Sequence, residues 1–232
     1  ERSTRMTRAA RPVPLGLAFL VSLFAALVAL SLSAGHAHAH GDEHATPAAK
    51  SASTSAVALE QSMQRLWFEH VAWTRLAIVS FTSGLPDLEP TVARLLRNQR
   101  DIGNAIKPYY GAAAGTALTG LLRQHILIAV DVLKAAKADD AKALAAAQAD
   151  WNANANEIAG FLTKANPDNW PAPAMRSMMR THLALTTQEA VARLQGKWAL
   201  DVRTADAVFR QIRHMATMLT EGIVAQFPQR FS

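Results

Sequence analysis

The sequence predicts an all-α fold, an antiparallel up-and-down bundle of about six helices preceded by a signal or anchor segment. Half of the 232 residues are apolar, and much of that half is alanine, a composition that favours helix over strand. Gly and Pro are sparse, at 11 and 10. From residue 56 onward the apolar residues recur with the 3.6-residue period of a helix. The chain has no cysteine, which excludes a disulfide scaffold, a thiolate metal site and a thiol nucleophile. The apolar content excludes a fully disordered chain.

The first 39 residues read as an address. Arg8 and Arg11 precede an uncharged apolar run, 15–32, and small residues follow at Ser33, Ala34 and Gly35. A basic start, an apolar centre and a small-residue exit make a secretory signal, and Ala37-His38-Ala39 fits a cleavage site of the A-x-A kind. A run of this length also suits an uncleaved anchor, since a span needs about 17–25 residues. Either way the remainder is expected to be exported, periplasmic or extracellular, touching the membrane only through 15–32 if that segment is kept. Removing 1–39 takes away four Arg and one Glu, so 20 basic and 17 acidic residues remain and the net charge falls from +6 to +3. So small and evenly spread a charge argues against a nucleic-acid partner.

Residues 40–55 form a linker by composition. Across its start lie His36, His38, His40 and His44, with Asp42 and Glu43 among them. Short histidine tracts bind divalent metals readily but loosely, so a second metal region is expected here; a solvated tail is the alternative. Cleavage after Ala39 would leave His40 as an N-terminal residue able to chelate copper through its α-amine and ring.

The bundle domain is expected over 56–228. A first helix over 56–81 carries the stripe Leu59, Met63, Leu66, Trp67, His70, Ile78 and ends at Gly84-Leu85-Pro86. A second over 89–107 carries Val92, Leu95, Gln99, Ile102 and Ile106 and stops at Pro108-Tyr109-Tyr110-Gly111. A third over 112–138 carries Leu118, Leu122, His125, Ile128 and Val132. A fourth runs from Asp139-Asp140 to 164 with Leu144, Trp151, Asn154 and Ile158. A fifth over 173–195 carries Met175, Met179, His182, Thr186 and Glu189 and ends at Gly196. A sixth over 198–227 carries Val208, Ile212, Met215 and Leu219 before Pro228. The short connections make neighbouring helices antiparallel.

These stripes are interrupted by polar residues at mid-helix. His70, His125 and His182 lie on three of them, Asn154 and Gln99 on two others, and Glu189 two turns beyond His182. In an up-and-down bundle, mid-helix positions share a level. An unpartnered buried polar group costs about 1–3 kcal/mol, so these groups satisfy one another, hold water or hold a ligand. Three imidazoles with Asn154 or Glu189 as a fourth ligand suit copper or zinc. Gln99, Thr186, Glu69 and Asp131 are the expected supports around them. Haem is the weaker expectation, because no C-x-x-C-H attachment is present. There is no Glu-x-x-His pair for a di-iron site and no H-E-x-x-H.

Three runs carry a resemblance: 66–75 (LWFEHVAWTR), 98–111 (NQRDIGNAIKPYYG) and 125–131 (HILIAVD). They resemble segments of a poorly characterised family of bacterial exported helical-bundle proteins, over about residues 60–230. Some members of that family are labelled glycosyltransferases. This chain has neither a βαβ nucleotide-binding unit nor a D-x-D motif, so the resemblance implies a fold and export but no mechanism for particular residues.

The expected function is therefore a binding protein: an exported bundle holding copper or zinc through His70, His125 and His182. The alternatives are a metal-dependent enzyme using the same central site, and an envelope interaction or sensing module whose polar layer fixes helix register.

Overall fold

A computed structural model of the chain describes residues 53–232. The leader, its cleavage site and the histidines at 36–44 lie outside the described residues. Among those described, every regular element is helical. Helix α1 is Thr54–Ser83, α2 Leu88–Lys137, α3 Ala141–Ala165, α4 Ala172–Leu194 and α5 Trp198–Gln226, with a short 3₁₀ turn at Pro228–Arg230. Several starts and stops have a local cause. The Ser53 side chain accepts from Ala56 N–H, and Asp140 accepts from Ala143 N–H at 2.9 Å, so two first turns have capped donors. Helix α1 ends in a Schellman-type turn, with Leu85 N–H donating to Ser80 C=O at 2.9 Å. Pro173 stands in the first turn of α4, where its fixed φ and missing N–H suit a helix entry.

The expected helices over 89–107 and 112–138 are the two limbs of one element, Leu88–Lys137, parted by a kink that falls inside the expected stop at 108–111; counted as elements, the described residues hold five helices. Helical hydrogen bonding runs on through Pro108, and the break falls at Gly111, with φ 86° and ψ 166°. That conformation is open to glycine and strained for other residues. The limbs then fold back on each other. Twelve residues of straight helix would span about 18 Å, yet a Cβ added to Gly103 would stand 2.5 Å from the carbonyl oxygen of Gly115. Glycine at both positions lets the two backbones touch.

Each element packs against the next in sequence, and α5 packs against α1, which closes the ring. Among the described residues, Leu88–Lys137 is the helix with a stretch long and apolar enough to cross a membrane; here it bends back and packs between α1 and α3. The core holds Met63, Trp67, Ile78, Ile102, Ile158, Met175, Ile212 and Ile223. At one end Trp170 lies over Gly222, leaving no space for a side chain there, and Tyr110 donates its hydroxyl to Gln226 Oε1 at 2.7 Å. Toward the other end Arg75 of α1 donates to Glu189 of α4 and, at 2.8 Å, to Asp201 of α5, and Arg193 donates to Asp201 at 2.9 Å.

Two alanine substitutions test the close approach of the limbs. Gly103→Ala has to push apart the α2 limbs and is expected to destabilise the protein by about 1–3 kcal/mol. Gly160→Ala meets nothing within 4 Å, and should stabilise it by about 0.5–1 kcal/mol. Urea unfolding midpoints read both; equal effects would show that the limbs do not touch.

Candidate metal centre

The three interior histidines occur in one repeated local pattern. Leu66-Trp67-x-x-His70, Leu121-Leu122-x-x-His125 and Met178-Met179-x-x-His182 place two apolar residues four and three positions before each ring. A helix puts those positions on the same face as the histidine, one turn away. Seven residues before each ring stand Met63, Leu118 and Met175, all buried.

Each ring is held by the helix that follows its own. His70 Nδ1 meets Gln99 at 3.2 Å, His125 Nδ1 meets Asn154 at 2.8 Å and His182 Nδ1 meets Gln211 at 3.1 Å, and in all three pairs the partners are 29 residues apart. A second bond repeats as well. The backbone carbonyl four residues before each histidine accepts from an amide: Leu66 from Asn98 at 3.0 Å, Leu121 from Asn154 at 3.2 Å and Met178 from Gln211 at 3.4 Å. In the second and third cases one amide makes both bonds; in the first, Asn98 and Gln99 divide them. The described chain is thus three helical hairpins in tandem, each carrying one imidazole on its first arm and its support on the second.

The amides fix the ring protons. Asn154 Oδ1 and Gln211 Oε1 are acceptors, so His125 and His182 donate Nδ1–H and carry the lone pair on Nε2. Gln99 presents its nitrogen to His70 Nδ1, which puts the proton of that ring on Nε2. Gln99 Oε1 is left buried without a partner. Turning this amide over would place its oxygen on Nδ1 and give His70 the tautomer of the other two, at the loss of its 2.9 Å bond to Leu95 C=O and its 3.2 Å bond to Asn98 Oδ1.

The rings gather at one level. The His182 ring lies 5.7 Å from that of His70 and 6.2 Å from that of His125, centre to centre. All three are buried, at 3–5% exposure. Burial is the largest cause lowering each pKa. For His70 the neighbouring charges of His182 and His125 add to it, and for His125 burial and His182 together bring the value down to about 3. The layer is therefore neutral at ordinary pH.

All three rings line one cavity of about 20 Å³, enough for a single water, which needs roughly 10–15 Å³. Trp67, Leu122 and Met179, each three residues before its histidine, form part of the wall; Ile158 and Met215, each four residues past its amide, form another part. Trp67 Nε1 and Trp151 Nε1 are buried without a protein partner, and the Trp151 ring stands 5.2 Å from His125. As the rings stand, no group of three His, Asp or Glu among the described residues is in coordinating geometry. With metal–nitrogen bonds of about 2.0–2.1 Å and tetrahedral angles, ring centres would be about 5 Å apart. The two spacings above are somewhat wider than that.

The other residues singled out from the sequence have different places. Asn154 is turned to the Nδ1 side of His125. Glu189 is engaged by Arg75, and burial, its largest influence, raises its pKa. Thr186 donates to its own helix, at His182 C=O, 2.9 Å. Glu69 accepts from Arg65 at 3.1 Å and Arg94 at 2.9 Å, and Asp131 pairs with Lys134 at 3.3 Å. Gln211 and Asn98 were not among the expected supports. The signal that points to them is the constant spacing: an amide follows each stripe histidine by 29 residues, with Asn98 adjoining Gln99.

The buried rings make stability pH-dependent. Each folded pKa lies below the unfolded value, so between the two the unfolded chain binds protons that the folded chain does not. Stability is complete above the unfolded pKa, about 6.5, and falls as pH drops, by about 1.4 kcal/mol per unit per ring. From pH 7.5 to 5.5 His125, with its folded value near 3, should by itself remove about 1.4 kcal/mol, His70 and His182 act in the same direction, and His125→Gln should make the slope shallower. Urea unfolding at the two pH values checks this; equal slopes in wild type and variant would show that His125 is open to solvent.

No family model, no curated protein and no solved structure matches this chain.

Proposed function

We propose that this is an exported transition-metal-binding protein whose interior site is formed by His70, His125 and His182. The observation that carries the reading is the repeated pair itself. Three neutral imidazoles from three hairpins are each fixed at Nδ1 by an amide and share one cavity of about 20 Å³. Hydrogen bonds that orient the rings of metal-binding histidines are a regular part of such sites. Binding requires the Gln99 amide to turn and the rings to draw together, since no three of these groups stand in coordinating geometry. The cavity has no space for an organic substrate beside the rings, which favours holding a metal over transforming a substrate. Export rests on the basic start, the apolar run 15–32 and the small-residue exit. The histidines at 36, 38, 40 and 44 would serve as a loose collecting arm for copper or zinc.

A second reading is a polar layer that holds one water and fixes helix register. The spacing of the rings and the lack of a coordinating trio favour it. Melting separates the two. With the four tract histidines replaced by alanine, a metal present at 100 times its Kd should stabilise the protein by about 2.7 kcal/mol, which raises Tm by roughly 5–10 °C at this size. His70→Asn, His125→Asn and His182→Asn together should abolish both that shift and the single bound equivalent, with helical circular dichroism retained. Metal content unaffected by the triple substitution, or a Tm indifferent to metal and chelator, would overturn the proposal.

A further inference from the structure

The wall of the histidine cavity differs between the three hairpins. Three residues before its histidine, the first hairpin places Trp67, the second Leu122 and the third Met179; four past its amide, the second places Ile158 and the third Met215. The third hairpin therefore brings thioethers to positions from which the others present Trp67, Leu122 and Ile158, and Met178 lines the same space. Met179 and Met215 are both buried. No carboxylate lines the cavity, and Glu189 is already held by Arg75.

We infer that the site selects copper(I), held by Nε2 of His70, His125 and His182 with a methionine thioether, Met179 or Met215, as the further ligand; this rests on the interior metal reading above. Two physical arguments favour the monocation. Thioether and imidazole are the donor set that soft copper(I) takes, while zinc(II) gains little from a thioether. The site also supplies no anionic ligand, so the charge of the ion is compensated only by neutral dipoles. The cost of burying an ion rises with the square of its charge, so a monocation costs about a quarter of what a dication of similar size does. A cavity sized for one water leaves no place for the water ligands that a divalent ion keeps when its protein donors are few.

The test uses the full chain with His36, His38, His40 and His44 replaced by alanine, titrated without oxygen with copper(I) against a chromogenic copper(I) chelator, and separately with zinc(II) against a zinc indicator. One equivalent of copper(I) is expected, bound at least about a hundredfold more tightly than zinc(II). X-ray absorption at the copper edge should show nitrogen and sulfur neighbours. Met179→Leu together with Met215→Leu conserves volume, so the bundle should keep its circular dichroism and zinc affinity while copper(I) affinity drops by about tenfold or more. Zinc bound as tightly as copper(I), or a copper edge without sulfur, would overturn the copper(I) assignment while leaving an interior metal site standing. No interior binding of either ion would overturn that site and this assignment together.

Discussion

The bond between each buried imidazole and the amide of the next helical arm is the constraint around which the interior is arranged. A histidine at 3–5% exposure has to be neutral, and a neutral ring still has two nitrogens to satisfy. The amides of Gln99, Asn154 and Gln211 take care of one on each ring. Asn154 and Gln211 also reach the carbonyl one turn before the histidine, and in the first hairpin Asn98 does so beside Gln99. The amides of each hairpin therefore fix its ring and lock the axial register of its two arms. Sliding either arm by one residue would break both bonds and bury an unpaired donor, at about 1–3 kcal/mol each.

Two polar systems hold the bundle in different ways. The ion network of Arg75, Glu189, Asp201 and Arg193 ties α1, α4 and α5 with formal charges. Two positive and two negative groups balance there, and removing one partner leaves a buried charge uncompensated. The histidine layer uses neutral groups throughout, so it tolerates the low dielectric of the core without a counter-ion. Neutral rings are also in the protonation state that metal coordination needs. The two systems divide the labour: charge clamps one end of the bundle, and the middle is held by three uncharged rings, each bonded at Nδ1 to an amide.

Much of this was legible in the sequence, because helical periodicity is local. The stripes of α1, α3, α4 and α5 follow from one turn to the next, and His70, His125 and His182 stood out because they interrupt apolar stripes. The reversal at Gly111 was expected as a stop between two helices, since Pro108 and Gly111 both punctuate; hydrogen bonding carried on past the proline because the first limb could continue to the glycine that turns it. What periodicity could not supply was direction across the bundle. Glu189 lies on the same stripe as His182 but is taken up by Arg75, a partner 114 residues away. Asn154 reads as a possible ligand on its own helix, and only the neighbouring ring shows that its oxygen accepts a proton from Nδ1. Gln211 is not marked out by periodicity, because it stands among other polar residues, Arg210, Arg213 and His214.

The order in which the hairpins leave the ribosome follows from the tandem architecture. Contacts within a hairpin join residues a few tens of positions apart, the kind of local pairing that forms quickly. The packing of α5 on α1 is different: Gln64 meets Thr217 across 153 positions. That seam has to close last, after the final helix has emerged. Until then the first two imidazoles have their supporting arms in the chain while the third does not, so sealing of the interior coincides with arrival of the C-terminal pair of helices.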